Sequence, residues 1–113
     1  MRIIELMPSP TERVGFSRSE YRKVPQVSGC YVLATFLSDI LYVGRTVNLH
    51  DRFQQHLDDP EKTQPTSDGK AIWFYYLPWE ESGIEVLENT WLNDYEIHNG
   101  RLPILNKKRA SIS

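Results

Sequence analysis

The strongest constraint in this chain is a pair of tripeptides, Gly29-Cys30-Tyr31 and Tyr42-Val43-Gly44, separated by ten residues. Residues Gly29 to Thr35 alternate and are rich in aromatic and β-branched types; a polar Ser38-Asp39 turn follows, and Ile40-Leu41-Tyr42-Val43 resumes the pattern. That order predicts a β-hairpin. A four-residue loop, Phe36 to Asp39, pairs Thr35 with Ile40 and Leu33 with Tyr42. Side chains alternate faces along a strand, so Tyr31 then shares a face with Tyr42, one diagonal step away. At roughly 7–8 Å between diagonal positions, two phenols reach a common ligand. A three-residue loop without a bulge puts them on opposite faces. On the hairpin alone, two tyrosines that simply pack together is the plainer alternative.

After Gly44 the period changes from two to 3.6. Leu49, Phe53 and Leu57 form an apolar stripe, and Asn48 with Asp51 three residues on fits an N-cap that also puts negative charge in the first turn. Arg52 and His56 stand four apart on a neighbouring face. In an isolated surface helix they are solvated, but this helix springs directly from the Tyr42 strand, so its Arg52 face looks back over the tyrosines. A second helix buries Ile84, Leu87, Trp91 and Tyr95. Glu88 falls inside that stripe, where an isolated carboxylate is costly, so it must be paired, protonated or metal-bound. Glu85 and Glu96 lie toward the flank. Together these phases predict that Tyr31, Tyr42, Arg52, His56 and Glu88 line one concave surface.

Elsewhere the pattern is plainer. Ile3, Ile4 and Leu6 suggest an edge strand that Pro8-Ser9-Pro10 ends. Ser17 and Glu20 have capping-box spacing for a short helix, Ser17 to Lys23, that stops before Pro25. Asp58 to Gly69 is polar, contains Pro60 and Pro65 and has no period, as a mobile flap or a disordered loop does. Ala71 to Leu77 is apolar on both faces, with Ile72, Phe74 and Tyr76 on one and Trp73 and Tyr75 on the other, which suits a central strand. The expected organisation is one domain: residues 1–28 as an extension with a short helix, and 29–113 as the functional unit with a basic tail.

At 113 residues there is room for one core and no separate recognition module. Hydrophobic content of 40% and charged content of 25% are those of a globular protein. No apolar run approaches a membrane span, the first residues lack a signal-peptide core, and the single cysteine makes no internal disulfide, so cytoplasmic residence is the default. A net charge of −2 argues against coating nucleic acid by bulk charge. Charge is unevenly spread, however: residues 80–96 carry six acids and no Lys or Arg, whereas Arg101, Lys107, Lys108 and Arg109 sit together without an acid. The tail is either a solvated end or a basic face for phosphates. His50, His56 and Cys30 lack zinc-finger spacing, and no nucleotide-type phosphate loop is present. Cys30 points away from Tyr31, against a Cys-His nucleophile.

Taken in order, Gly29-Cys30-Tyr31, Tyr42-Val43-Gly44, a helix bearing Arg52 and His56, a later helix bearing Glu88, then Pro103 and Asn106, the chain resembles the GIY-YIG nuclease family over residues 29 to 106. Cys30 replaces the usual Ile, and Val43 is an ordinary variant. The resemblance implies a small stand-alone α/β domain with a central antiparallel β-sheet of about three strands flanked by helices. It implies metal-dependent hydrolysis of phosphodiester bonds in DNA. Glu88 would hold one Mg²⁺ or Mn²⁺, which takes the rest of its shell from water and substrate oxygens. Arg52 would neutralise charge on the scissile phosphate. Tyr42 or Tyr31, helped by His56 or by metal-bound water, would activate the attacking water. A phenol near pKa ~10 is a poor base, so its environment is expected to lower that value. Asn106 would orient the site, Gly44 would let backbone approach phosphate, and Arg45, Lys107, Lys108 and Arg109 would contact phosphates. Low sequence specificity is expected, unless a protein partner or a second copy supplies recognition. The alternatives are a catalytically weak nucleic-acid-binding domain on the same fold and a protein-interaction module.

Overall fold

The computed structural model describes residues 2–106. Its centre is one antiparallel sheet in the order β1-β4-β2-β3, formed by β1 (Glu12–Gly15), β2 (Gly29–Ala34), β3 (Ile40–Thr46) and β4 (Trp73–Pro78). Helix α1 (Leu49–Leu57) follows β3, a short α2 (Pro60–Thr63) follows α1, and α3 (Ile84–Asn99) follows β4. The α/β class is as expected, with four strands instead of about three. The extra strand is β1, paired with β4 from Glu12↔Tyr76 to Gly15↔Trp73.

That strand comes from beyond the prolines. Ile3–Glu5 forms a 3-10 turn and not the expected edge strand, and the buried Leu6 is used as a plug. Pro8 and Pro10 cannot donate to a ladder, so pairing begins only after them. The Pro8 carbonyl instead accepts from Trp91 Nε1 at 2.8 Å, tying the N-terminal segment to α3. Arg18–Lys23 is a 3-10 helix at the expected place, although Ser17 Oγ meets Ser19 Oγ and caps nothing.

The hairpin has the expected parity by a different route. Leu33 pairs with Tyr42 as expected, but Ala34, not Thr35, pairs with Ile40, leaving Leu41 as an extra residue in a bulge. Ser38 turns the chain at φ 70°, and Thr35 Oγ1 accepts the Asp39 N–H at 3.1 Å. The Thr35 N–H also donates to the Asp39 carbonyl at 2.9 Å, so backbone and side chain together close the turn on Asp39, one residue before Ile40. Tyr31 opposes Gly44, so Tyr31 and Tyr42 are diagonal neighbours on one face.

Each face of the sheet carries its own core. Cys30, Val32 and Val43 pack against Leu87, Trp91 and Leu92 of α3 on one side. Tyr31, Leu33 and Phe74 pack against Leu49 and Phe53 of α1 on the other. Burial on both faces explains why β2 is buried at all six positions. Gly29 is dictated by close approach: a Cβ there would lie 2.5 Å from the Leu77 carbonyl oxygen and 3.0 Å from Leu49 Cδ1. Among the described residues no helix is long and apolar enough to cross a membrane.

Candidate active site

The edge strand β3 and the helix that leaves it build the site. Asn48 caps α1 as expected, its side chain accepting the Asp51 N–H at 3.1 Å. The cap fixes the helix phase so that His56 turns inward above the sheet, where it is 7% exposed. Its Nε2 lies 2.7 Å from Tyr31 Oη. Tyr42 packs edge-on against the same imidazole, with ring centroids 5.3 Å apart, and lies 6.1 Å from Tyr31. Tyr31 itself is fully buried and stacks on Phe74 at 5.2 Å. Arg52, one turn before His56, acts electrostatically on the Tyr31 phenol, and so does Tyr42. Tyr42, Tyr31 and His56 therefore form one cluster of rings, joined by the Tyr31–His56 hydrogen bond and covered by the half-buried Tyr42.

Gly44 is what admits this cluster. A Cβ at Gly44 would clash with Tyr31 Oη, come within 2.5 Å of Tyr31 Cζ and lie 2.9 Å from Tyr42 Cε2. The space above Gly44 is filled by the Tyr31 ring, so the glycine's first duty is to seat that tyrosine.

Burial dominates the proton affinities. It pushes His56 down to about 4, helped by the Lys62 ammonium and the Arg52 guanidinium and opposed by Asp59. It holds Tyr31 well above the usual phenol value, with Tyr42 adding to the rise and Arg52 opposing it. Tyr42 is raised as well, by burial first; its interaction with Tyr31 pulls it back and Glu88 adds to the rise. The expected lowering of a phenol pKa is therefore corrected: desolvation outweighs every cation present.

Glu88 is buried, as its place in the apolar stripe predicts, and it is paired. Arg45 Nη1 lies 2.7 Å from Glu88 Oε1, and Arg45 Nη2 lies 3.5 Å from Glu85. Burial raises the Glu88 carboxyl while Arg45 lowers it. The expectation of a single concave surface needs correction here. Arg45 and Cys30 face each other on the α3 side of the sheet, whereas Tyr31 and Tyr42 project on the α1 side. Tyr31, Tyr42, Arg52 and His56 meet on one face, and Glu88 approaches from the other. Because β3 is the sheet edge, no further strand shields the two faces from each other, and Glu88 acts electrostatically on Tyr42 and feels Arg52.

Asn106 clamps this edge. Its Oδ1 accepts from Val43 N–H and its Nδ2 donates to the Val43 carbonyl, both at 2.9 Å. The residue between the two site positions Tyr42 and Gly44 is thereby held as if by another strand. Cys30 points away from the tyrosines, as expected, with Sγ 3.2 Å from the Ile84 carbonyl oxygen. Lys107, Lys108 and Arg109 lie outside the described residues. Arg45, expected at a phosphate, is instead engaged with the two α3 carboxylates.

Sequence reasoning passed over one segment. Asp58 to Gly69 is not a bare loop: Asp59 caps α2 by accepting the Glu61 N–H, with Pro60 in the first turn. Lys62 of this helix has its ammonium 4.8 Å from the centre of the Tyr42 ring. The Asp59-Pro60 pair, an N-cap followed by proline, was the available signal.

An open antiparallel sheet with helices on both faces, and with two tyrosines, a histidine and an arginine gathered on one face beside its edge, defines a small α/β domain with a polar site. Residues 27–101 match the GIY-YIG catalytic domain, and the chain belongs to that family. Nuclease function in general follows from this membership, and nucleases of the family are generally dependent on a divalent metal. No significant match was found among curated proteins.

Proposed function

We propose that this protein is a metal-dependent endonuclease that hydrolyses phosphodiester bonds in DNA with little intrinsic sequence preference. The observation that carries the reading is the cluster of Tyr42, Tyr31 and His56, with the Arg52 charge acting on it. Among the described residues there is no group of three His, Cys, Asp or Glu side chains that could hold a metal. One hard carboxylate nevertheless fits Mg²⁺ or Mn²⁺, which keeps several waters and takes substrate oxygens as ligands. Glu88 would hold that ion, whose charge would offset that growing on the phosphate.

The chain's own residues supply the remainder. The planar fork of Arg52 meets two phosphate oxygens at once, a task for which a lysine is a poorer match. Neither phenol needs to ionise outright. Tyr42 would take a proton from the attacking water and give its own to Tyr31 once the two phenols close to hydrogen-bond distance, and the Tyr31 proton would pass to Nε2 of His56 across their 2.7 Å bond. His56 is the terminus that the geometry offers: burial keeps its Nε2 unprotonated at working pH, while making it a weaker acceptor than a free imidazole. Asn106 keeps the strand beneath Tyr42 from shifting.

Low specificity follows from the placement of polar groups. Reading base edges takes several polar side chains on an element that enters a groove. The best candidate, the segment after α1, is held down by α2 and by the 2.6 Å bond between Arg101 and Asp68. Binding should rest on phosphates and weaken steeply with salt, unless a partner or second copy supplies recognition.

One observation favours the rival reading of a domain that binds nucleic acid without cutting it: Arg45 engages the carboxylate that the ion requires. Plasmid incubated with and without Mg²⁺, beside Glu88→Gln, separates the two. Metal-dependent nicking that drops at least about 100-fold in Glu88→Gln supports the nuclease. DNA binding without nicking supports the rival. Mapped cleavage ends should scatter; one recurrent long site would refute low specificity.

A further inference from the structure

The Asp59-capped helix α2 lies beside the site, and its Lys62 is the one cation that stands over the ring of Tyr42 among the described residues. The side chain is only 12% exposed, and the ammonium is 3.5 Å from Asp59 Oδ2. A lysine with a solvated alternative does not bury its stem over an aromatic face without a gain, and a cation over a phenol ring is attracted by the ring's negative face. The pairing with Asp59 gives the ammonium a second anchor beside the ring. Its field reaches His56 as well.

We propose that Lys62 is a positioning residue of this active site, its ammonium pinning the Tyr42 ring and furnishing, beside Arg52, a second cation at the Tyr42 and His56 pair. The inference rests on the nuclease reading for its effect on turnover, but not for its effect on His56. Every charged or titratable group that bears on the imidazole has a part: Tyr31 from β2, Tyr42 from β3, Arg52 on α1, Asp59 at the α2 cap and Lys62 on α2. Of these, Lys62 and Arg52 disfavour the imidazolium, and Asp59 favours it. Lys62 therefore keeps the imidazole neutral into mildly acid conditions while making it a weaker acceptor. It also makes α2 part of the site, where a plain connecting loop would contribute nothing.

The test uses Lys62→Met, which keeps the stem over Tyr42, and Lys62→Arg, which keeps the charge. The His56 ring proton signals are followed by NMR through a pH titration without DNA or metal, and plasmid cleavage is measured against pH with Mg²⁺. In Lys62→Met the His56 midpoint should rise toward that of a free imidazole, the acid limb of the cleavage profile should rise with it, and turnover should fall about tenfold. Lys62→Arg should restore both curves. An unchanged midpoint and acid limb in Lys62→Met overturns the proposal, even if that variant is less stable. If the wild type does not cut DNA while the His56 midpoint still follows Lys62, the nuclease reading fails and the placement of Lys62 stands.

Discussion

Tyr31 and His56, 25 positions apart in the chain, meet through a 2.7 Å hydrogen bond beneath Tyr42, and both are shielded from water. A buried bond of this kind couples stability to function, whereas the more exposed Tyr42 is free to serve function alone. Tyr31→Phe keeps the stack on Phe74 but leaves His56 without its partner, so it should cost about 1–3 kcal/mol of stability. It should also lower turnover by roughly 100-fold or more, since it breaks the proton route. Tyr42→Phe should lower turnover comparably with little change in stability. Urea unfolding and plasmid nicking on the same preparations compare them; equal destabilisation by the two variants would contradict the assigned roles.

Stability should fall in mild acid because of His56. Its folded value of about 4 lies below the unfolded 6.5, so the unfolded chain binds the proton more readily. The stabilisation from burying the neutral ring is complete above about pH 6.5 and is lost as pH falls toward 4. The full span is worth about 3 kcal/mol. Glu88, whose raised value has the opposite sign, opposes this loss at the acid end. Thermal unfolding from pH 7.5 to 5 should therefore slope downward in the wild type and flatten in His56→Gln.

Gly44→Ala should destabilise by about 1–3 kcal/mol through overpacking, because the new methyl would claim space held by Tyr31 and Tyr42. The displaced tyrosines would also leave His56, so nicking should fall with stability. A crystal structure or tyrosine ring shifts by NMR would show the displacement; an unperturbed tyrosine pair would mean that the strand can yield at this edge.

Arg52→Lys keeps a charge but loses the planar fork. Turnover should fall by about tenfold or more while affinity for DNA changes little, the signature of an interaction made mainly in the transition state. Single-turnover cleavage and equilibrium binding at one salt concentration separate the two quantities. A collapse of affinity with turnover intact would reduce Arg52 to a phosphate anchor.

Much of this was legible from local pattern. The stripe of Leu49 and Phe53, the Asn48 cap, the burial of Glu88 inside the Ile84 and Trp91 stripe, and the shared face of Tyr31 and Tyr42 all follow from helical and strand periods, which depend on neighbours in sequence. The bulge at Leu41 escaped because Thr35 bonds Asp39, through backbone and side chain, in place of Ile40, a choice between two local partners that periodicity does not rank. The strand at Glu12–Gly15 escaped because it is too short to have a period of its own and exists only by pairing with β4.

What the sequence determined by itself was the set of chemical groups and the face of its own element on which each one lies. Only the tertiary structure decided how those faces meet. It brought Glu88 from the α3 side of the sheet and Tyr42 from the α1 side to the same edge strand, gave Glu88 to Arg45, and laid Lys62 over Tyr42. It also set the proton affinities in a direction opposite to the one expected for the phenols. The reason is that pairing across elements and the loss of water around a group depend on the whole packed arrangement, and neither is a property of any local stretch of chain.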